Sequence, residues 1–229
     1  MKFRPLNIDD IPLLANLEKN VFPADPCEED TSLHDADEIC LRQWISPERN
    51  LSYICENATG DTIGIVAIVP ISRKGWEFIK DITDNDVDEY GLVGDNLYNP
   101  GDSEIGLYVY MIEKTDSTIH NFTELAYKKV FSEVKKRFGN REQIICVAGY
   151  SVSPVAINIA FNKLGRSEVK PLNMFMLFAP SGDLVHKLVN DYADYVKLVS
   201  AGYTYRNRCR LTAVTPTDPS PVWSWFSDA

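Results

Sequence analysis

The side chains of this sequence that can move protons or hold a ligand fall mainly within 104–122 and 144–165. His120 stands in the polar run Lys114-Thr115-Asp116-Ser117-Thr118-Ile119-His120-Asn121-Phe122. An imidazole there suits a base or a phosphate contact, and a partly exposed histidine at a helix start is the plainer reading. Ser117, Thr118 and Asn121 carry the side-chain oxygens that cap a helix. Tyr108, Tyr110 and Tyr150 sit in apolar runs, where their phenols either line a substrate tunnel or simply pack. Cys146, inside Ile144-Ile145-Cys146-Val147-Ala148, reads as a buried structural thiol rather than a nucleophile. The five cysteines (Cys27, Cys40, Cys55, Cys146, Cys209) are odd in number and none shows C-x-x-C spacing, so no metal site and no disulfide framework is expected.

Positioning these residues is the work of alternating strands and helices. Lys2 to Leu6 reads as a first strand, and Asn7-Ile8-Asp9-Asp10 caps a helix carrying Ile11, Leu14 and Ala15. A second helix is expected from Asp35 to Ile45. Leu51 to Cys55 and Ile63 to Val69 flank the turn formers Asn57-Ala58-Thr59-Gly60-Asp61, an antiparallel hairpin. The stretch from Asp81 to Asp102, rich in Asp with glycines at 91, 94 and 101, reads as an irregular solvated insertion that could steer a cationic partner.

Ile105 to Ile112 is the next strand, followed by a helix from Asn121 to Phe138 with Leu125, Val130, Phe131 and Val134 on one stripe. Ile144 to Ala148 is a strand, and the helix from Pro154 to Leu164 stops at Gly165, which can take the left-handed conformation. Met174 to Phe178 predicts a strand, Asp183 to Ser200 an amphipathic helix and Tyr205 to Val214 a last strand. The tail carries Trp223, Trp225 and Phe226, which dock on the body or meet a second copy in a homodimer.

A chain of 229 residues, 45% apolar and 24% charged, can bury a full core as one domain. No apolar run is long enough to span a bilayer and the first residues lack a signal-peptide pattern, so a cytoplasmic protein with no membrane partner is expected. The net charge of −10 argues against nucleic acid as a partner, because phosphate backbones are bound by clustered Lys and Arg.

The element order is a mixed α/β pattern with helices on a mostly antiparallel sheet. With Phe3 to Leu14, Glu104 to Met111 and Val147 to Gly165, which ends in Lys163-Leu164-Gly165, the chain resembles the GNAT superfamily of acyl-CoA-dependent N-acyltransferases over about residues 2–180. Residues 181–229 form a C-terminal helix and strand extension of the same single domain, 1–229.

The resemblance implies acetyl-CoA or another acyl-CoA as cofactor and an amine-bearing small molecule or peptide as acceptor. It implies cofactor contacts from Tyr108, Tyr110, Met111 and Ile112 on the central strand and from Thr118, Ile119, His120, Asn121 and Phe122 at the following helix, where backbone N–H groups meet pyrophosphate. Ser151, Ser153 and Phe161 complete the second wall. Glu104 stands where some members place the carboxylate that deprotonates the amine, and Tyr150 is left to protonate the thiolate. Two departures stand out: the pyrophosphate loop contains no glycine, and Phe161 occupies the position where a tyrosine often donates the proton. The alternative they open is a catalytically silent GNAT-fold binding or assembly module.

Overall fold

The computed structural model describes residues 1–14, 35–81, 91–151, 154–171, 176–178, 181, 184–186, 200–201, 204–205 and 210–229. Its strands are β1 (Lys2–Pro5), β2 (Tyr53–Glu56), β3 (Thr62–Ile71), β4 (Ile105–Lys114), β5 (Ile144–Ser151), β6 (Ser167–Pro171), β7 (Met176–Phe178), β8 (Leu184–His186), β9 (Thr204–Tyr205) and β10 (Arg210–Val214). The helices are α1 (Asp35–Trp44), α2 (Arg73–Asp81), α3 (Phe122–Phe138), α4 (Pro154–Asn158, continued as a π-helix over Ile159–Lys163) and α5 (Val222–Asp228).

Seven strands form one sheet in the order β1-β2-β3-β4-β5-β10-β6, antiparallel throughout except for the β4–β5 pair. A second sheet has the order β8-β7-β9. β3 is central and buried along nearly its whole length, which explains why its sequence reads as a continuous apolar run instead of alternating. One face packs Trp44, Ile79, Tyr108 and Met111; the other packs Tyr127, Phe131, Trp223 and Phe226. The aromatic tail therefore docks on the body, with Trp223 and Phe226 buried against Phe131 of α3. Among the described residues no helix is long and apolar enough to cross a membrane.

The first strand and its cap form as expected. The Asp9 N–H donates to Asn7 Oδ1 at 2.9 Å, the Asn7 N–H donates to Asp10 Oδ2 at 2.9 Å, and a short 3₁₀ turn leads into helical residues 11–14. Three expectations need correction. Residues Leu184–His186, expected to open a helix, are strand β8 paired with β7; 187–199 lie outside the described residues. The last strand, expected over Tyr205 to Val214, is β10 at Arg210–Val214, lying between β5 and β6, while Tyr205 belongs to β9 of the second sheet. The stretch after Gly91 is not merely solvated: Leu92 and Leu97 are fully buried, and the Trp44 indole donates to Leu92 O at 2.7 Å. Helix α2 and strand β6 were not foreseen. Of the acidic residues invoked for steering, Asp84, Asp86, Asp88 and Glu89 lie outside the described residues, and Asp95 is paired with Lys74.

Candidate active site: the parting of β4 and β5

Strands β4 and β5 run parallel and pair at Ile105 with Ile144, Leu107 with Val147 and Tyr108 with Ala148, where their ladder ends. Beyond it, β4 stays bonded to β3 as far as Lys114, and β5 stays bonded to β10 through Ser151. Each strand is held by its outer neighbour while the facing edges separate, so backbone N–H and C=O groups on those edges lack a ladder partner. Buried or half-buried groups of this kind require one, and an amide-bearing ligand lying between the strands would supply it.

A β-bulge accentuates the parting. Met111 pairs with Ala67 and Val109 with Ile68, leaving Tyr110 as the extra residue. Its effect is to turn two successive side chains, Tyr110 and Met111, toward the face that already holds Tyr108, whereas Val109 and Ile112 pack on the other. There the Tyr110 ring meets Trp44 edge-on at 5.1 Å, and Tyr108 meets Tyr150 at 5.9 Å. Tyr108 is fully buried and serves packing; Tyr110 and Tyr150 are half-buried at the opening. The Tyr150 hydroxyl lies 3.5 Å from Ile79 O.

The chain leaves β4 through a turn that is internally fastened. Asp116 accepts from the Thr118 N–H at 2.9 Å and from its hydroxyl at 2.7 Å, which holds the Asp116 carboxyl below the usual range. Lys114 donates to Ser117 O at 3.2 Å and Ile119 O at 2.9 Å. The turn ends at Asn121, the only non-glycine with positive φ among the described residues (φ 57°). Asparagine tolerates this left-handed conformation better than most residues. It does the turning for which a glycine is usual, and its side chain makes no capping hydrogen bond. The first N–H groups of α3 thus have no side-chain cap from Asn121. Thr118 and His120 are exposed beside them and Ile119 is half-buried.

Phe122 points elsewhere. Its ring stacks on Phe3 at 6.3 Å and covers Gly64 of β3, two strands away from β5, so it does not fill the gap. Phe161 is half-buried within the π-helical turn, Ser151 is buried with its hydroxyl 3.5 Å from that of Thr212, and Ser153 lies outside the described residues.

Glu104 and Tyr150 are not brought together. Glu104 precedes the paired end of β4, and Tyr150 is six residues along β5 from the Ile144 that pairs with Ile105, a separation of roughly 20 Å. Arg73 holds Glu104 through two hydrogen bonds, one of 2.8 Å from Nε, and this pairing keeps its carboxyl below the usual glutamate range.

Two residues of the region escaped sequence reasoning. Glu113, on the open arm of β4, pairs in register with Ile65 and so faces the same side as Met111; burial pushes its carboxyl up, and it makes no hydrogen bond among the described residues. A charge ending a β pattern looks like a solvated strand end, so no signal marked it. Arg166 is 5% exposed and donates to the hydroxyl of Tyr127. Following a helix-ending Gly165 (φ 60°), it reads as a surface residue in sequence. Among the described residues no cluster of His, Cys, Asp or Glu can hold a metal. Cys146 is buried and inert, its thiol pushed up to about 12 by that burial.

No protein-family profile and no curated protein matches the sequence. Among solved structures, the chain is similar to mosquito arylalkylamine N-acetyltransferase like 5b: 8% identical, TM-score 0.51, covering 93% of this chain and 99% of that one. It is also similar to a spermidine N-acetyltransferase SpeG chimera from Vibrio cholerae and hSSAT (9%, TM-score 0.46, 98% and 96% covered) and to Arabidopsis thaliana NAA60 in complex with acetyl-CoA (12%, TM-score 0.44, 93% and 98% covered). The seven-stranded mixed sheet with its parted parallel pair is the GNAT fold, which this chain shares with the mosquito acetyltransferase.

Proposed function

We propose that the chain is an acyl-CoA-dependent N-acyltransferase, most simply an acetyltransferase, that modifies an amine-bearing small molecule or peptide. The observation that carries this reading is the end of the β4–β5 ladder at Tyr108 and Ala148, followed on the β4 side by the start of α3 at Phe122. A pantetheine arm is an extended diamide, matched to two strand edges that no ladder joins, and a helix N-terminus favours a pyrophosphate. The name of the mosquito relative supports an amine as acceptor.

In the reaction the neutral amine nitrogen attacks the thioester carbonyl carbon; the C–N bond forms, the C–S bond breaks, and the leaving thiolate takes up a proton. Tyr150, on the open arm of β5, is the candidate donor, since Phe161 has no proton to give. For the base, Glu113 fits better than Glu104. It stands on the open arm, half-buried and without a cation in hydrogen-bond contact, whereas Glu104 is neutralised by Arg73.

The second reading, a silent binding module, draws on Phe161 and on the loop without glycine. Two features weigh against it: Asn121 adopts the left-handed turn in a glycine's stead, and Phe122 is seated on Gly64 instead of plugging the gap. Isothermal titration with CoA, acetyl-CoA and longer acyl-CoAs decides between them. Micromolar binding with turnover of an amine is expected; absence of binding to every one of them overturns the proposal, and binding without turnover favours the module.

A further inference from the structure

Arg166 is a buried cation with no counter-charge among the described residues. Its side chain donates to the Tyr127 hydroxyl, its Nε is buried without a hydrogen-bond partner, and no carboxylate pairs with it among the described residues. Tyr127 does not compensate as an anion, because complete burial raises its phenol away from ionisation. An arginine that served only packing would be better replaced by an apolar side chain, since burying an unpaired charge is unfavourable.

The position of the guanidinium gives the charge a use. A Cβ built on Gly149 would stand 2.7 Å from Val109 O and 3.3 Å from Arg166 Nη1. Val109 and Gly149 are the first residues beyond the last paired ones, Tyr108 and Ala148. The guanidinium therefore sits at the vertex where the strands part, and glycine at 149 places no Cβ between it and Val109 O. It sits on the α3 side of the sheet, since its hydroxyl partner Tyr127 belongs to α3.

We propose that Arg166 is a specificity-determining residue that receives a carboxylate at the end of the ligand's acyl chain, so that the preferred donor is a dicarboxylic monoacyl-CoA. The inference rests on the reading of the gap as an acyl-CoA groove. A donor anchored at the N-terminus of α3 and running between the strands on this face directs its acyl end toward the vertex. The planar guanidinium fork, with Nε unused, matches a carboxylate in two parallel hydrogen bonds. An acceptor bearing the carboxylate is the competing source.

The test is titration of the full chain with CoA, acetyl-CoA, malonyl-CoA and succinyl-CoA, repeated on Arg166→Met and Arg166→Lys. Expected is at least tenfold tighter binding of a carboxylated donor than of acetyl-CoA in the wild type. That preference should be abolished in Arg166→Met and reduced in Arg166→Lys, with acetyl-CoA affinity changed less than threefold. Thermal unfolding supplies an independent readout: a charge held for a ligand predicts that Arg166→Met melts no lower than the wild type, and that a carboxylated donor raises the melting point of the wild type alone. Equal binding of acetyl and carboxylated donors overturns this proposal and leaves the acyl-CoA reading intact. Failure of CoA and of every acyl-CoA to bind overturns both. An Arg166 effect confined to KM for carboxylate-bearing amines, with donor affinities unchanged, overturns the assignment to the acyl chain. Misfolding of Arg166→Met with unaltered donor selectivity in Arg166→Lys makes the residue structural and overturns it as well.

Discussion

The ring of Phe122, the first residue of α3, lies on the bare backbone of Gly64 in β3, so close that a Cβ on Gly64 would stand 2.4 Å from its Cζ and 3.0 Å from Glu113 O. This contact fastens the start of the helix to the sheet through a strand that does not border the gap. Gly64→Ala should therefore act at a distance. Overpacking of this kind costs about 1–3 kcal/mol. Because the displaced ring carries the first turn of α3 with it, acyl-CoA affinity should fall together with stability. Denaturant unfolding and titration on the same sample check this; a stability loss with unchanged affinity would show that Phe122 does not set the helix terminus.

The legibility of the molecule from sequence follows physical lines. Strands β2 to β5 and helix α3 were readable because continuous apolar runs and a 3.6-residue stripe record burial directly. Leu184 to His186 were not, because three apolar residues serve a strand as well as a helix and pairing with β7 decides. The terminal strand could be recognised but not located: nothing in Leu211 to Val214 says that β10 lies between β5 and β6. At the site, the helix-ending turn at Gly165 was legible because positive φ has a residue preference, and the burial of Arg166 one residue later was not, because no periodicity reports on a lone charge at a turn.

Asp10 links the first strand to its cap. Arg4 donates to it at 2.7 and 2.8 Å and also reaches Glu56 on β2 at 2.6 Å. The Arg4 guanidinium lowers the Asp10 carboxyl from its ordinary 3.8, so the folded state gives up this proton more readily than the unfolded chain. The contribution is complete at pH values above the unfolded value and fades as pH falls through the folded one. Asp10→Asn should cost about 1.5–3 kcal/mol at neutral pH. It should also flatten the decline in stability below about pH 5. Chemical denaturation across that range measures both.

The C-terminal helix is a structural closure. Trp223 is 3% and Phe226 5% exposed, and Lys135 of α3 donates to the backbone oxygens of Ser227 and Ala229 at 3.1 Å. Trp223→Ala or Phe226→Ala should each cost about 3–5 kcal/mol, as for other large aromatic truncations in a core. Sedimentation of the full chain and of a chain ending before Pro216 separates this from a docking role between copies. The expected result is an unchanged mass with a lower melting point, whereas a fall in mass would mean that the rings also join two copies.

Glu104 and Glu113 lie at opposite ends of β4, and pH distinguishes them. Arg73 holds Glu104 below the usual glutamate range, while burial pushes Glu113 above it. A base acts in its ionised form, so an acid limb set by Glu113 should fall above the ordinary value of 4.5, with activity lost as the carboxyl takes up its proton. Glu113→Gln should lower kcat/KM by about a hundredfold or more and abolish that limb. Glu104→Gln removes only a largely exposed ion pair, worth about 1 kcal/mol or less, and should leave the profile in place. The measurement is a pH–rate profile of the wild type and both variants with one acyl-CoA and one amine. Loss of the acid limb in Glu104→Gln with its retention in Glu113→Gln would return the proton to the paired end of the strand, and with it the acceptor amine.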